Sequence, residues 1–248
     1  MTGSSVNGLT RVAAHVLVSV EDFAASDIGV PAEAHHHFAR VLRLKPGERV
    51  SVTDGRGGFR FAVVTFNFAS SGSLEPTSEP IQVATRAVPL AIGLALVKGE
   101  KPELAVQKLT ELAVDRIVLF EAEHSVVRWN PEKAAKNIER LRLVSREALQ
   151  QSRGCFLPSV EWADLQNLAA EPGVARADLG GSSPSLHQHQ MVLIGPEGGW
   201  SESERELLPN AVSLASTVLR AETAAIVAAA LYVALREKIV VSVRTNEG

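Results

Sequence analysis

The sequence predicts an α/β protein in two parts, a small β-rich domain over residues 1–85 and an α/β domain with a mostly parallel sheet over 86–248. Three observations predict it. Before residue 85 the apolar residues come in short runs broken by Gly-rich turns. From Leu90 the rhythm alternates between strand-like and helix-like segments, the pattern of a parallel sheet flanked by helices. That alternation closes on a helix whose residues 224–235 are apolar nearly all round, which requires burial in a core or a subunit interface.

In order along the chain, 12–20, 49–54, 59–68 and 81–84 read as strands, with a turn at Asp54-Gly55-Arg56-Gly57-Gly58 and one helix near 32–42. Residues 70–80, rich in Ser, Gly and Pro, read as a surface loop or the approach to a linker. Strands are then expected at 90–97, 116–120, 191–194 and 212–215, and helices at 102–113, 131–153, 201–208 and 221–236. Asn130-Pro131 supplies a capping side chain before a proline at the first helical position, and Gly154 stands just past the last turn. Ser201 followed by Glu204 is a capping box. Residues 171–190 have neither periodicity and read as a mobile insertion.

The chain has 248 residues, 46% hydrophobic and 21% charged, with a single cysteine, which excludes disordered, collagenous and disulfide-scaffold classes. Cys155 has no intrachain partner, so a reducing compartment is expected. The longest apolar run, 224–235, is shorter than the roughly 20 residues a membrane-spanning helix needs, and the first residues have no signal pattern. The expected location is cytoplasmic. A net charge of −3 argues against a protein that coats nucleic acid indiscriminately. Basic residues nonetheless concentrate in 40–60 (six against two acidic) and 98–153 (eleven against nine), so an RNA partner would meet those segments.

Two stretches carry the chemistry. Met191-Val192-Leu193-Ile194-Gly195-Pro196-Glu197-Gly198-Gly199-Trp200 is an apolar strand running into a turn whose glycines let a ligand approach the backbone, or merely allow positive φ. The second ends Leu219-Arg220-Ala221-Glu222-Thr223 at the mouth of the apolar helix, where polar groups crowded against apolar surface need a ligand or each other. No GxGxxG and no Walker A lysine is present.

These residues, with His36-His37-Phe38-Ala39-Arg40-Val41-Leu42-Arg43, Lys98-Gly99-Glu100-Lys101, Gln107-Lys108-Leu109-Thr110-Glu111-Leu112, Glu123-His124-Ser125-Val126-Val127 and Gln151-Ser152, resemble the RsmE family of ribosomal RNA methyltransferases, of the SPOUT class. The resemblance runs in order from about 35 to 235. Ala113 stands where members usually have Gly, Ala221 where Thr is common, and 70–80 and 171–190 look like added loop length. The resemblance implies an N-terminal PUA-like β-barrel that handles RNA and a C-terminal SPOUT domain with a trefoil knot that pairs as a homodimer. It also implies methylation, by S-adenosylmethionine, of N3 of a uridine in 16S ribosomal RNA of the small ribosomal subunit.

Carried over by position, Leu193, Ile194, Gly195, Glu197 and Gly198 form one wall of the cofactor pocket, and Leu214, Ala215, Leu219, Arg220, Ala221 and Thr223 the other. Arg220 is the expected charge stabiliser, and Glu222 the proton acceptor or the group that orients Arg220. Arg40, Arg43, Arg56, Lys98, Lys101, Arg128, Arg142, Arg146 and Arg153 are the expected RNA contacts. No metal is expected, since His35, His36 and His37 cannot all face one point of a helix. A transfer-RNA methyltransferase of the same class, a noncatalytic RNA-binding factor and a NAD-dependent dehydrogenase are the rival readings.

Overall fold

The computed structural model describes residues 12–30, 44–65, 73–99 and 101–240. They form two compact units, one holding residues up to Thr85 together with Arg146–Leu157, the other Arg86–Ser145 with Pro158 onward. The sequence-based boundary falls at the same first break but leaves 146–157 in the second part. Backbone pairing explains the difference: Gly57 N–H donates to the Cys155 carbonyl (2.8 Å) and Leu157 N–H to that of Gly55 (2.8 Å). Gly57 has φ +98°, and a Cβ there would lie 2.7 Å from the Phe156 ring, so only glycine permits this join.

The first unit is a six-stranded sheet in the order β1-β3-β4-β5-β2, with β6 on β4. Its strands are β1 (His15–Leu17), β2 (Ile28–Gly29), β3 (Arg49–Thr53), β4 (Gly58–Val64), β5 (Ser73–Pro76) and β6 (Ile81–Gln82). Helix α1 (Val20–Ala24) starts where the Ser19 hydroxyl accepts from Asp22 N–H. Val16, Ile28, Val50, Val52, Ala62 and Leu74 are buried together as the core. The expected loop at 70–80 contributes β5, because Leu74 and Pro76 pair with Val64 and Ala62 of β4. The expected helix at 32–42, with Arg40 and Arg43, lies outside the described residues.

The second unit is a parallel six-stranded sheet in the order β12-β10-β11-β7-β8-β9. Its strands are β7 (Ala91–Ala95), β8 (Arg116–Phe120), β9 (Ser159–Trp162), β10 (Val174–Ser182), β11 (Met191–Ile194) and β12 (Ala211–Val212). Its helices are α2 (Lys101–Glu111), α3 (Pro131–Ser152, whose last turns belong to the first unit), α4 (Leu165–Ala169), α5 (Glu202–Leu207) and α6 (Ala221–Arg236). Small side chains on α6, Ala221, Ala224, Ala225, Ala228 and Ala229, are buried in the larger core with Ile92, Leu94 and Leu109. On a second core, Ala91, Phe120, Leu193 and Trp200 pack together.

One expectation needs correction. Residues 174–182 are no mobile insertion but strand β10, paired with both β11 and β12; Ala175, Ala177 and Leu179 alternate with Arg176 and Asp178 through Gly- and Ser-rich sequence that hid the strand. Gly154 stands just past the last turn of α3 as expected, its N–H closing onto the Leu149 carbonyl at 3.0 Å, with the left-handed residue being Arg153 (φ 58°). Asn130 does cap that helix, its Oδ1 accepting from Lys133 N–H at 2.8 Å. Among the described residues no helix is long and apolar enough to cross a membrane, and no cluster of three His, Cys, Asp or Glu could hold a metal.

Candidate active site

The sheet places β11 between β7 and β10, so the turn after β11 emerges beside the C-terminal end of β10, the edge at which open parallel sheets bind ligands. All four residues of β11 are buried. Immediately after it the chain must fold under Trp200, whose indole Nε1 donates to the Ala177 carbonyl (3.0 Å) and which stacks on Phe120 at 6.1 Å. A Cβ on Gly195 would lie 2.8 Å from that indole, so the glycine is demanded by close approach.

The turn is then clamped from two sides. His124 Nδ1 donates to the carbonyls of Gly198 and Gly199 (both 3.1 Å). The capping box of α5 is present, and the buried Glu204 that completes it takes a second bond from Glu123 N–H (2.8 Å). Hydrogen bonds from Ser201 and Ser203 hold the Glu123 carboxyl below its usual range. These loop contacts make the 195–199 segment a fixed wall.

A cavity of about 260 Å³ lies against this wall. Of the expected cofactor residues, Ile194, Gly195, Glu197, Leu214, Ala215, Leu219 and Ala221 line it, so the two late segments converge on one space. Four do not line it. Leu193 is fully buried in the core beneath, Gly198 is occupied with His124, and Arg220 and Thr223 are exposed at the start of α6. Ala177, Asp178, Leu179, Trp200, Arg205, Thr217 and Val218 line it without having been expected. The alternation of Ala175, Ala177 and Leu179 is the sequence signal that would have found β10 and its share of the wall. Asp178 there is paired with Arg176 (3.2 Å) and with Arg205.

Beside Glu197, which lines the cavity, stand Lys101 and Glu222, which do not. Lys101 Nζ donates to Glu197 Oε1 at 2.7 Å and stands 3.7 Å from Glu222 Oε2, a buried oxygen with no hydrogen-bond partner. The Glu197 bond raises the Lys101 ammonium above its ordinary value and, reciprocally, lowers the Glu197 carboxyl. Arg220 is the N-cap of α6 through its backbone alone, its side chain making no cap bond. No Arg220–Glu222 ion pair forms among the described residues, so the expected orientation of Arg220 by Glu222 is not what the structure holds; the cation beside Glu222 is Lys101.

The other expected RNA contacts divide between the units. Arg56 and Arg146 are exposed in the first; Arg153 there donates to the Val12 carbonyl (3.2 Å). In the second, Lys98 is exposed, Arg128 binds Glu121 (3.2 Å) and the Glu123 carbonyl (2.8 Å), and Arg142 binds Glu139 and the Val160 carbonyl.

The chain matches the RNA methyltransferase domain family over residues 84–233 and the RNA methyltransferase PUA domain over 30–66. It is 30% identical to Ribosomal RNA small subunit methyltransferase E of Mycobacterium bovis, over 80% of this chain and 83% of that protein, and 30% identical to the Rickettsia conorii protein of the same name, over 83% and 88%. A probable rRNA-methyltransferase from Porphyromonas gingivalis superposes with a TM-score of 0.73 at 28% identity, over 91% of this chain and 98% of that one. The same enzyme E from Neisseria gonorrhoeae, solved bound to S-adenosyl methionine, has the same fold, with a TM-score of 0.78 at 24% identity over 90% and 97%. With a PUA region followed by a parallel α/β domain whose late segments enclose a cavity, the chain belongs to the ribosomal RNA small subunit methyltransferase E family of RNA methyltransferases.

Proposed function

We propose that this protein transfers a methyl group from S-adenosylmethionine to N3 of a uridine in 16S ribosomal RNA of the small ribosomal subunit. The observation that carries the reading is the convergence of Ile194, Gly195 and Glu197 with Leu214, Leu219 and Ala221 around one cavity. The residues present fit the donor. Ile194, Leu214 and Leu219 offer apolar cover for an adenine ring, the turn offers backbone polar groups, and Asp178 and Arg205 offer charges of both signs to a zwitterionic tail. Bound there, the cofactor supplies an electrophilic methyl group on sulfonium.

The chain's own task is alignment, exclusion of water and proton management. Uridine N3 carries a proton and is a poor nucleophile until it leaves. Glu222 Oε2, buried and unbonded beside the cavity mouth, accepts that proton. Arg220, exposed at the N-terminus of α6 where the helix dipole adds positive potential, stabilises the negative charge that then spreads over the uracil oxygens. The base must be turned out of its stack to reach this mouth. Arg40, Arg43, Arg56, Lys98, Arg128, Arg142, Arg146 and Arg153 hold RNA phosphate and set register without reading sequence. The outer side of α6, with Thr223 and Ala230 exposed and Ile226, Val227 and Leu231 half-buried, supports pairing as a homodimer. A cytoplasmic location follows from the substrate.

Undermethylated small subunits incubated with tritiated donor should gain label at one uridine N3, with naked transfer RNA unlabelled. Arg220→Ala should cut kcat by about 10²- to 10³-fold, with donor affinity nearly unchanged. Full turnover in that variant would remove Arg220 from the mechanism, and label on transfer RNA would replace the substrate.

A further inference from the structure

We propose that Lys101 is a positioning residue for methyl transfer: anchored by Glu197, it holds Glu222 beside the cavity and makes no contact with RNA phosphate. The proposal rests on the reading of Glu222 as proton acceptor.

Three elements meet at this point, namely the first residue of α2, the turn after β11 and the first turn of α6. Lys101 begins α2, so its backbone is fixed while its four-carbon stem is free to swing. The 2.7 Å bond to Glu197 Oε1 removes that freedom. Held there, the ammonium reaches Glu222 Oε2 at 3.7 Å, close enough for attraction and too long for a hydrogen bond. Glu222 is thereby kept in place with its Oε2 free of hydrogen bonds, as a proton acceptor requires. A lysine bonded squarely to Glu222 would occupy the oxygen that has to take the proton.

The same geometry disqualifies Lys101 as a phosphate contact. Its ammonium is already bonded to Glu197 Oε1 at 2.7 Å and attracted by Glu222 at 3.7 Å, so a phosphate could take it only by displacing a carboxylate that holds it. The other cations facing the group are Arg220, from the start of α6, and Lys98, which acts on Glu197. Both are exposed and remain available to RNA.

The test is a double-mutant cycle in the full chain on undermethylated small subunits, using K101Q, K101R, E222Q and K101Q/E222Q, with thermal unfolding to confirm that each folds. K101Q should lower kcat about ten- to a hundred-fold while KM for the donor changes little, and K101R should recover most of the loss. The double variant should be no slower than E222Q alone, since Lys101 acts through Glu222. The salt dependence of RNA affinity should keep its slope in K101Q. A slope reduced by roughly 0.7–0.9, one phosphate's worth, with kcat intact would make Lys101 an RNA contact and overturn the proposal. So would a double variant slower than E222Q by the full K101Q factor. E222Q at wild-type rate is a different failure, one that removes the proton-acceptor reading itself.

Discussion

The two ends of helix α6 contrast sharply. At its C-terminal end Arg236, 5% exposed along its side chain, donates to Asp115 Oδ2 (2.6 Å) and to the Ala113 carbonyl (2.8 Å), and Asp115 in turn takes Arg86 (2.6 Å) and Leu90 N–H (2.9 Å). At its N-terminal end Arg220 pairs with nothing among the described residues and Glu222 Oε2 is buried without a bond. The same helix therefore has one end whose charged groups are mostly paired, with Arg236 Nε alone lacking a hydrogen bond and lying 3.5 Å from Glu237 Oε1, and one end where, among the described residues, no hydrogen bond joins the Arg220 side chain or Glu222 Oε2 to a partner. Each end thus holds one buried side-chain atom without a hydrogen bond, but only Glu222 stands next to residues that line the cavity, and that position, with the orphan oxygen, marks the end that meets a ligand.

The hardest way to break that contrast is to remove Arg236. Arg236→Ala strands the Ala113 carbonyl and takes one cation from Asp115, and loss of one member of a buried pair costs roughly 3–5 kcal/mol. Urea unfolding should show that loss. Below the melting transition kcat should stay within about two-fold of wild type; a hundred-fold slower enzyme that is still folded would mean the C-terminal end also takes part in catalysis.

His15, in the first unit, sharpens the comparison with a buried polar group that is fully bonded and remote in chain position from the site. Its Nε2 meets the Gly154 carbonyl (2.9 Å), which can only accept, so Nε2 carries the hydrogen and Nδ1 accepts from the Ser51 hydroxyl (2.7 Å). Both partners are satisfied by a neutral ring. Burial pushes the pKa from 6.5 down to about 4. Below pH 6.5 the unfolded chain takes up a proton that the folded one refuses, so stability is full above 6.5 and falls until about pH 4. The total is about 3 kcal/mol. Thermal unfolding from pH 7 to 4 should show a steeper loss in wild type than in His15→Gln; parallel curves would contradict the neutral, buried ring.

What could be read in advance follows the same division. Segments whose signal is local were legible: the apolar run of β11, the Ser201–Glu204 box, the Asn130 cap, and α6, whose limits of 221 and 236 coincide with those expected. Arrangements that depend on distant partners were not. β10 is made a strand by β11 and β12 on either side rather than by its own Gly- and Ser-rich residues, and without it neither Asp178 nor the Trp200–Ala177 bond could be placed in the cavity wall. The two carboxylate neighbours of Lys101 could not be seen either, since they are 96 and 121 positions away in sequence (197 − 101 and 222 − 101). The glycine turn after β11 and the polar segment before α6 each stood out in the sequence, but nothing in their spacing says that 194–197 and 214–221 share a cavity.

The smallest expected effect lies at Ala113, whose carbonyl Arg236 holds. Ala113 N–H bonds to the Thr110 carbonyl (2.9 Å) and Val114 N–H to that of Leu109 (3.1 Å), the paired closure of a helix end in which the residue between must be left-handed. Ala113 has φ 60°, a conformation in which its Cβ crowds the following carbonyl at a cost of about 1 kcal/mol relative to glycine. Glycine removes that strain but makes the unfolded chain freer, offsetting part of the gain. Ala113→Gly should therefore stabilise by about 0.5 kcal/mol, raising the melting temperature by roughly 1–2 °C with kcat unchanged. A lower melting temperature would mean that the Ala113 methyl packs favourably enough to outweigh its strained backbone, and the C-terminal end of α6 would then rest on more than its ion pairs.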